Sequence, residues 1–135
     1  MKAYNFTMLM ILFLCLVTSA FTSDDSRKLK FNVTVEGAAE KNILNEGLLT
    51  SEFDKMVIEV EKKNYQVYEF IVTLARGPRP VGGAEKILGY DNINLDQFEP
   101  MAKTGDRFSV HITKVKNKRN KVIDVKEGYL NIPIY

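Results

Sequence analysis

The sequence is poor in reactive side chains. Its 135 residues include a single cysteine, Cys15, and a single histidine, His111. Cys15 lies in the N-terminal apolar run, so the chain beyond it has no thiol and cannot be stapled by internal disulfides. Whatever folds there must rely on its apolar core. One histidine leaves one place where a Ser–His or Cys–His pair could form. A zinc site built from clustered His and Cys ligands is excluded. An excess of one charge is missing too: 19 Lys+Arg face 17 Asp+Glu. That balance gives no reason to expect nucleic acid as a partner. Residues Met8 to Val17 form an unbroken apolar run, but it is about half the roughly 20 residues a membrane-spanning helix needs.

That run has another reading. Lys2 precedes it and Thr18-Ser19-Ala20 follows with small residues, the layout of a secretory signal peptide cut after Ala20. Phe13 and Leu14 stand before Cys15 where a lipoprotein signal needs small residues. The expected organisation is a signal peptide at 1–20, a disordered polar lead-in at 21–28 and one domain at 29–135. Such a protein is exported, to the periplasm or beyond, and has no stable membrane span once the signal is removed.

Beyond residue 28 the dominant period is two. Leu29, Phe31, Val33 and Val35 alternate with polar residues and read as a half-buried strand. Met56, Ile58 and Val60 repeat the pattern. In "YQVYEFIVTLARG" Tyr68, Phe70, Val72 and Leu74 are expected on one face, with Val67, Glu69, Ile71 and Thr73 on the other. Phe108, Val110, Ile112 and Val115 mark a further strand. A final strand pair or kinked strand closes the chain, with Pro133 near an edge or a bulge. Ser51 with Asp54, and Asn94 with Gln97, suggest two capped helical turns. Residues 76–94 hold Pro78, Pro80, Gly82, Gly83 and Gly89, and read as one long irregular loop. Six or seven strands with little helix predict an all-β, immunoglobulin-like antiparallel β-sandwich with one or two short helical turns.

Each possible site has an ordinary alternative. His111 falls mid-strand on the polar face of an alternation, where a solvent-facing or edge position is expected and no orienting third group is evident. Asp91, Asp96 and Glu99 do not match a calcium loop and serve as solvated or helix-start acids. Gly82-Gly83 lacks the Lys-Ser/Thr and helix of a phosphate cradle. Asn32-Val33-Thr34 matches a glycosylation acceptor, a triplet common by chance. Gly105-Asp106-Arg107 reads as a turn that launches a strand, with Asp106 and Arg107 solvated. No catalytic residue, metal or cofactor is therefore expected.

Two segments remain as candidates for contact. Arg76, Arg79 and Tyr90 belong to the 76–94 loop, and both residue types are enriched at binding hot spots. Lys114, Lys116, Lys118, Arg119 and Lys121 cluster within one short stretch. They suit an acidic glycan, a lipid headgroup or an acidic protein, or they blunt a sheet edge.

The order of parts from "NEGLLTSEFDKMVIEVEKKNYQVYEFIVTLAR" through "LDQFEPMAKTGDRFSVHITKV" to "YLNIPI" resembles the β-rich periplasmic domains of GldM and PorM. Those domains belong to the gliding-motility and type IX secretion machinery of Bacteroidetes. The resemblance covers roughly residues 44–135. It implies an immunoglobulin-like sandwich that binds an envelope protein partner or self-associates, with no enzyme activity. The chain departs from that pattern in lacking a long helical region, and in carrying "KNKRN" where a Pro-Asp-Gly-like turn is usual. A freestanding interaction module of the bacterial envelope is the expected function; a ligand-binding module for an acidic glycan or lipid headgroup is the alternative.

Overall fold

A computed structural model describes residues 29–82 and 85–135. The expected signal peptide and lead-in, and Gly83, lie outside the described residues. The strands are β1 (Phe31–Val35), β2 (Lys55–Val60), β3 (Tyr65–Arg76), β4 (Arg79–Pro80), β5 (Glu85–Leu88), β6 (Asn92–Asn94), β7 (Arg107–Asn117), β8 (Val122–Asp124) and β9 (Tyr129–Pro133). They form two antiparallel sheets. The smaller has the order β1-β2-β6; the larger is built on β3 and β7, with β4 and β5 along one side and β8 and β9 along the other.

The period-two pattern explains the layering. Phe31, Val33 and Val35 of β1, with Met56 and Ile58 of β2, supply the inner face of the small sheet. Phe70, Val72 and Leu74 of β3, with Phe108, Val110 and Ile112 of β7, supply the facing layer. One continuous apolar core joins them. Its centre is Phe108, whose ring meets Phe53 at 5.1 Å and Phe98 at 5.3 Å between centroids, both inclined. The fold is the predicted all-β sandwich. It has more helical turns than expected: 3-10 turns at Glu36–Ala38, Thr50–Glu52 and Asp96–Phe98, and a one-turn helix α1 (Ile43–Glu46).

The long strands are bent, which the alternation reading missed. Val67 opposes Val115 and Phe70 opposes Ile112, with the register disturbed between them. Inward positions therefore jump from 67 to 70 and from 112 to 115 instead of keeping step. Val67, not Tyr68, is buried beside Phe70, and Tyr68 is only half-buried. Bulges on both strands at the same level keep the ladder in step beyond the bend. On the β8 and β9 side the outer strand breaks at this level too: residues 111 to 114 of β7 oppose 129 to 124, so the flanking chain carries extra residues there.

The expected irregular loop at 76–94 is instead three short strands. Gly77-Pro78 makes a tight turn, because Arg76 pairs with Arg79. The chain runs back along β3 as β4 and β5, then crosses to pair β6 with β2. Proline and glycine punctuate this path without preventing strand pairing, since it follows a sheet edge where a missing N–H is tolerated. The cap at residue 51 also differs: the Glu52 carboxylate accepts the Leu49 amide at 2.8 Å and pairs with Lys41 at 2.9 Å. Asn94 does serve its turn, its Oδ1 accepting the Asp96 amide at 3.0 Å.

The chain terminus locks the sandwich at one end. Leu48 forms a parallel bridge with Ile134, and Gly105 N–H donates to the Ile134 carbonyl. Gly47 has φ of 73°, and a Cβ there would press into the Tyr135 ring and lie 2.6 Å from the Pro133 carbonyl oxygen. Both the backbone conformation and the space demand glycine.

Candidate functional site

The two ends of the large sheet hold almost all the candidate residues, and they differ in kind. At one end β3 finishes with Arg76 and β7 begins after Asp106. Arg76 Nε donates to Asp106 Oδ1 at 2.8 Å and Nη2 to Oδ2 at 2.9 Å, a two-point fork. Nη2 also reaches the Met101 carbonyl at 3.3 Å. The Lys103 amide donates to Asp106 Oδ2 at 2.8 Å. Asp106 is 2% exposed. The Arg76 guanidinium, helped by the Lys103 amide, holds the Asp106 carboxyl below the usual carboxylate range despite burial. The same pairing raises Arg76.

The expectation that Asp106 and Arg107 are solvated is thus corrected. Asp106 is buried because three donors converge on it, and Arg107 Nη1 donates to the Gly77 carbonyl at 2.8 Å. Arg76, a contact candidate from the sequence, is committed to a structural ion pair. Arg79 on β4 is exposed and makes no ion pair among the described residues. Tyr90 is 66% exposed and follows Leu88, 55% exposed, on the crossover from β5 to β6. Leu88 is the last residue of β5, so both side chains stand exposed at the end of that edge strand.

At the opposite end β2 turns into β3 through Lys62-Lys63-Asn64, and β7 turns into β8 through Lys118-Arg119-Asn120. Tyr65 opposes Asn117, so the two turns lie side by side. Between them is an open cleft of about 490 Å³ lined by Lys62, Lys63, Asn64, Tyr65, Asn117, Lys118 and Arg119. The β7–β8 turn is firmly built. Asn117 Oδ1 accepts the amides of Arg119 at 2.9 Å and Lys121 at 3.0 Å, while Asn120 adopts φ of 61°. Among the described residues, none of Lys62, Lys63, Lys118, Arg119 and Lys121 is in an ion pair.

The five basic residues picked from the sequence separate here. Lys118, Arg119 and Lys121 are exposed at the tip. Lys116 lies over the Tyr68 ring, Nζ 6.0 Å from its centroid. Lys114 is half-buried near Glu69, whose carboxyl its charge helps to lower, and stands opposite Asp124. Lys62 and Lys63 are not among the sequence candidates, and the fold brings them into the group. No local signal could have shown this, because the neighbours are more than fifty positions apart.

Glu69 is the other residue the sequence reading passed over. It is 7% exposed at the paired bulges, accepting from Thr113 Oγ1 at 2.8 Å and pairing with Lys86 at 3.4 Å. The Thr113 hydroxyl chiefly, with Lys86, lowers its carboxyl below the ordinary range. An acid inside an otherwise apolar strand was the available clue. His111 is half-buried and stacks on Tyr129 at 4.0 Å with 10° between ring planes. Among the described residues no carboxylate or hydroxyl hydrogen-bonds it, and no three metal-ligating side chains converge. Asp91 accepts from Gln66 and Asn92 instead of joining Asp96 and Glu99.

Among the described residues no nucleophile–base pair is hydrogen-bonded together and no cluster of metal-ligating side chains is assembled. The family model of the GldM C-terminal domain matches residues 18–135. The chain belongs to the GldM C-terminal domain family. No curated protein and no solved structure matched it. GldM-family domains are components of gliding-motility and type IX secretion machinery in the envelope, and the family is not a known enzyme family. Among the described residues of this GldM-family chain, no helix is long and apolar enough to cross a membrane.

Proposed function

We propose that this chain is an exported, non-enzymatic protein–protein interaction module of the bacterial envelope, released from its signal peptide after Ala20 and working in the periplasm or outside the cell. The family match over residues 18–135 carries the reading. Exposed Leu88 and Tyr90 at the end of β5, with exposed Arg79 on β4 further along the same side of β3, support it as the contact surface. An apolar pair next to unpaired strand groups suits docking of a protein segment, either a partner or a second copy. Mass analysis of the protein secreted by the native cell checks export, with Phe21 expected as the first residue. Cross-linking in intact envelopes checks the contact. A partner adduct is expected for the native sequence and is expected to disappear in an Arg79→Ala/Leu88→Ser/Tyr90→Ala variant that remains folded. Undiminished adducts in that variant would remove this surface from the proposal.

A second reading, binding of an acidic glycan or lipid headgroup, is favoured by one observation. Two turns from different strand pairs pool their charge at one tip.

A further inference from the structure

We propose that the tip formed by the β2–β3 and β7–β8 turns binds a linear anionic polysaccharide, which runs across the saddle between them. The inference rests on the acidic-ligand reading of this tip and names the ligand class and the residues that hold it. Lys62 and Lys63 approach from one turn and Lys118 and Arg119 from the other, lining the same cleft. Charges gathered from two separate segments, with no carboxylate paired to them among the described residues, leave a field open to an anion.

The shape favours a chain over a single ion. A second cleft shares Lys63, Asn64, Tyr65, Asn117 and Lys118 with the first, and adds Gln66, Lys116 and Asn120. A ligand that continues from one cleft into the other over the shared residues meets Lys62 and Arg119 in the first and Lys116 in the second. Cations spread along the joined clefts suit repeated negative groups along a polymer.

The lining favours sugar over a membrane or a protein. Besides cations it offers the carboxamides of Asn64, Gln66, Asn117 and Asn120, groups that donate to and accept from hydroxyls. The Asn117 side chain keeps its NH2 available because the turn uses only its Oδ1. No exposed Leu, Met, Phe or Ile lines either cleft. Membrane insertion needs an apolar wedge, and the one aromatic side chain in the lining, Tyr65, is half-buried in its strand. The rigid Asn117-centred turn holds Lys118 and Arg119 in place before a ligand arrives, which lowers the ordering cost of binding.

The test is retention of the purified protein on heparin and on polygalacturonate, with vesicles rich in anionic lipid and an uncharged polysaccharide alongside. Three variants are compared: Lys62→Glu/Lys63→Glu, Lys118→Glu/Arg119→Glu, and Lys103→Glu as a basic position at the other end of the sheet. Binding to at least one acidic polymer is expected, weakening steeply with salt and by about tenfold in each double reversal. Lys103→Glu should leave it nearly unchanged. The tip sites are exposed, so the double reversals should melt close to the native protein and loss of folding would not explain their loss of binding, whereas Lys103→Glu, beside Asp106, should melt somewhat lower with binding kept. Binding lost with Lys118/Arg119 but unaffected by Lys62/Lys63 would overturn the two-turn site while keeping an acidic ligand. Equal binding to anionic vesicles would overturn the polysaccharide, and no binding to any anion would overturn the acidic-ligand reading itself.

Discussion

The end of the sandwich at Arg76 and Asp106 and the end at Lys62 and Lys118 are both rich in charge, yet the charges have opposite fates. At the first, Arg76 is tied to Asp106, Arg107 to the Gly77 carbonyl, and the C-terminal strand to Leu48 and Gly105. At the second, only backbone and Asn117 are fixed, and the cationic side chains stand free of ion pairs among the described residues. Arginine content alone therefore does not mark a binding surface. A charge that completes the fold is unavailable to a partner, and a charge held on a rigid turn without a mate remains available.

Replacing residues at the locked end should cost stability, and replacing them at the free end should not. The largest effect is expected for Asp106→Ala, which strips the buried acceptor from Arg76 and the Lys103 amide. Urea unfolding should show a loss of about 3 kcal/mol, since three hydrogen bonds to one buried carboxylate are lost together. Gly47→Ala comes next, combining a left-handed backbone with a clash against Tyr135 and Pro133, for a loss of about 2 kcal/mol in the same assay.

The acid limb of stability sharpens the contrast. Asp106, Glu69 and Glu52 all titrate below the ordinary carboxylate range in the folded protein. Their contribution is therefore present above the unfolded values, 3.8 for Asp106 and 4.5 for the two glutamates, and is lost as pH falls through the lowered folded values. Thermal melts from pH 7 down to pH 2 should show Tm falling below about pH 4.5, less steeply in Asp106→Asn than in the native sequence. Thr113→Val should remove the main hydroxyl donor to Glu69 and cost about 1 kcal/mol. The smallest effect is expected at the free end. Lys62, Lys63, Lys118 and Arg119 changed together to Ser should move Tm by less than about 3 °C, by differential scanning calorimetry. A large Tm loss there would show that the tip charges belong to the fold after all.

The small sheet and the inner faces were legible because each rests on a local period. Phe31-Val33-Val35 and Met56-Ile58 show which side faces inward without reference to any other segment. The bend in β3 and β7 was half legible: the step from Ile112 to Val115 breaks the alternation, but its match at Val67 and Phe70 emerges only when the strands pair. Residues 76–94 misled because Pro78, Pro80 and the glycines look the same in a loop and along a sheet edge. What distinguishes the two is the β3 strand that offers them a partner.

Composition and periodicity by themselves determined that this chain forms an all-β sandwich without a disulfide, and that one histidine must serve if any Ser–His chemistry is present. Those features depend on residue type and on neighbours one or two positions away. Only the tertiary structure decided that Arg76 closes on Asp106, 30 positions on, and that Lys62 and Lys63 join Lys118 and Arg119. Such pairings are set by strand register, which arises from the packing of the two sheets and leaves no trace in a short stretch of sequence.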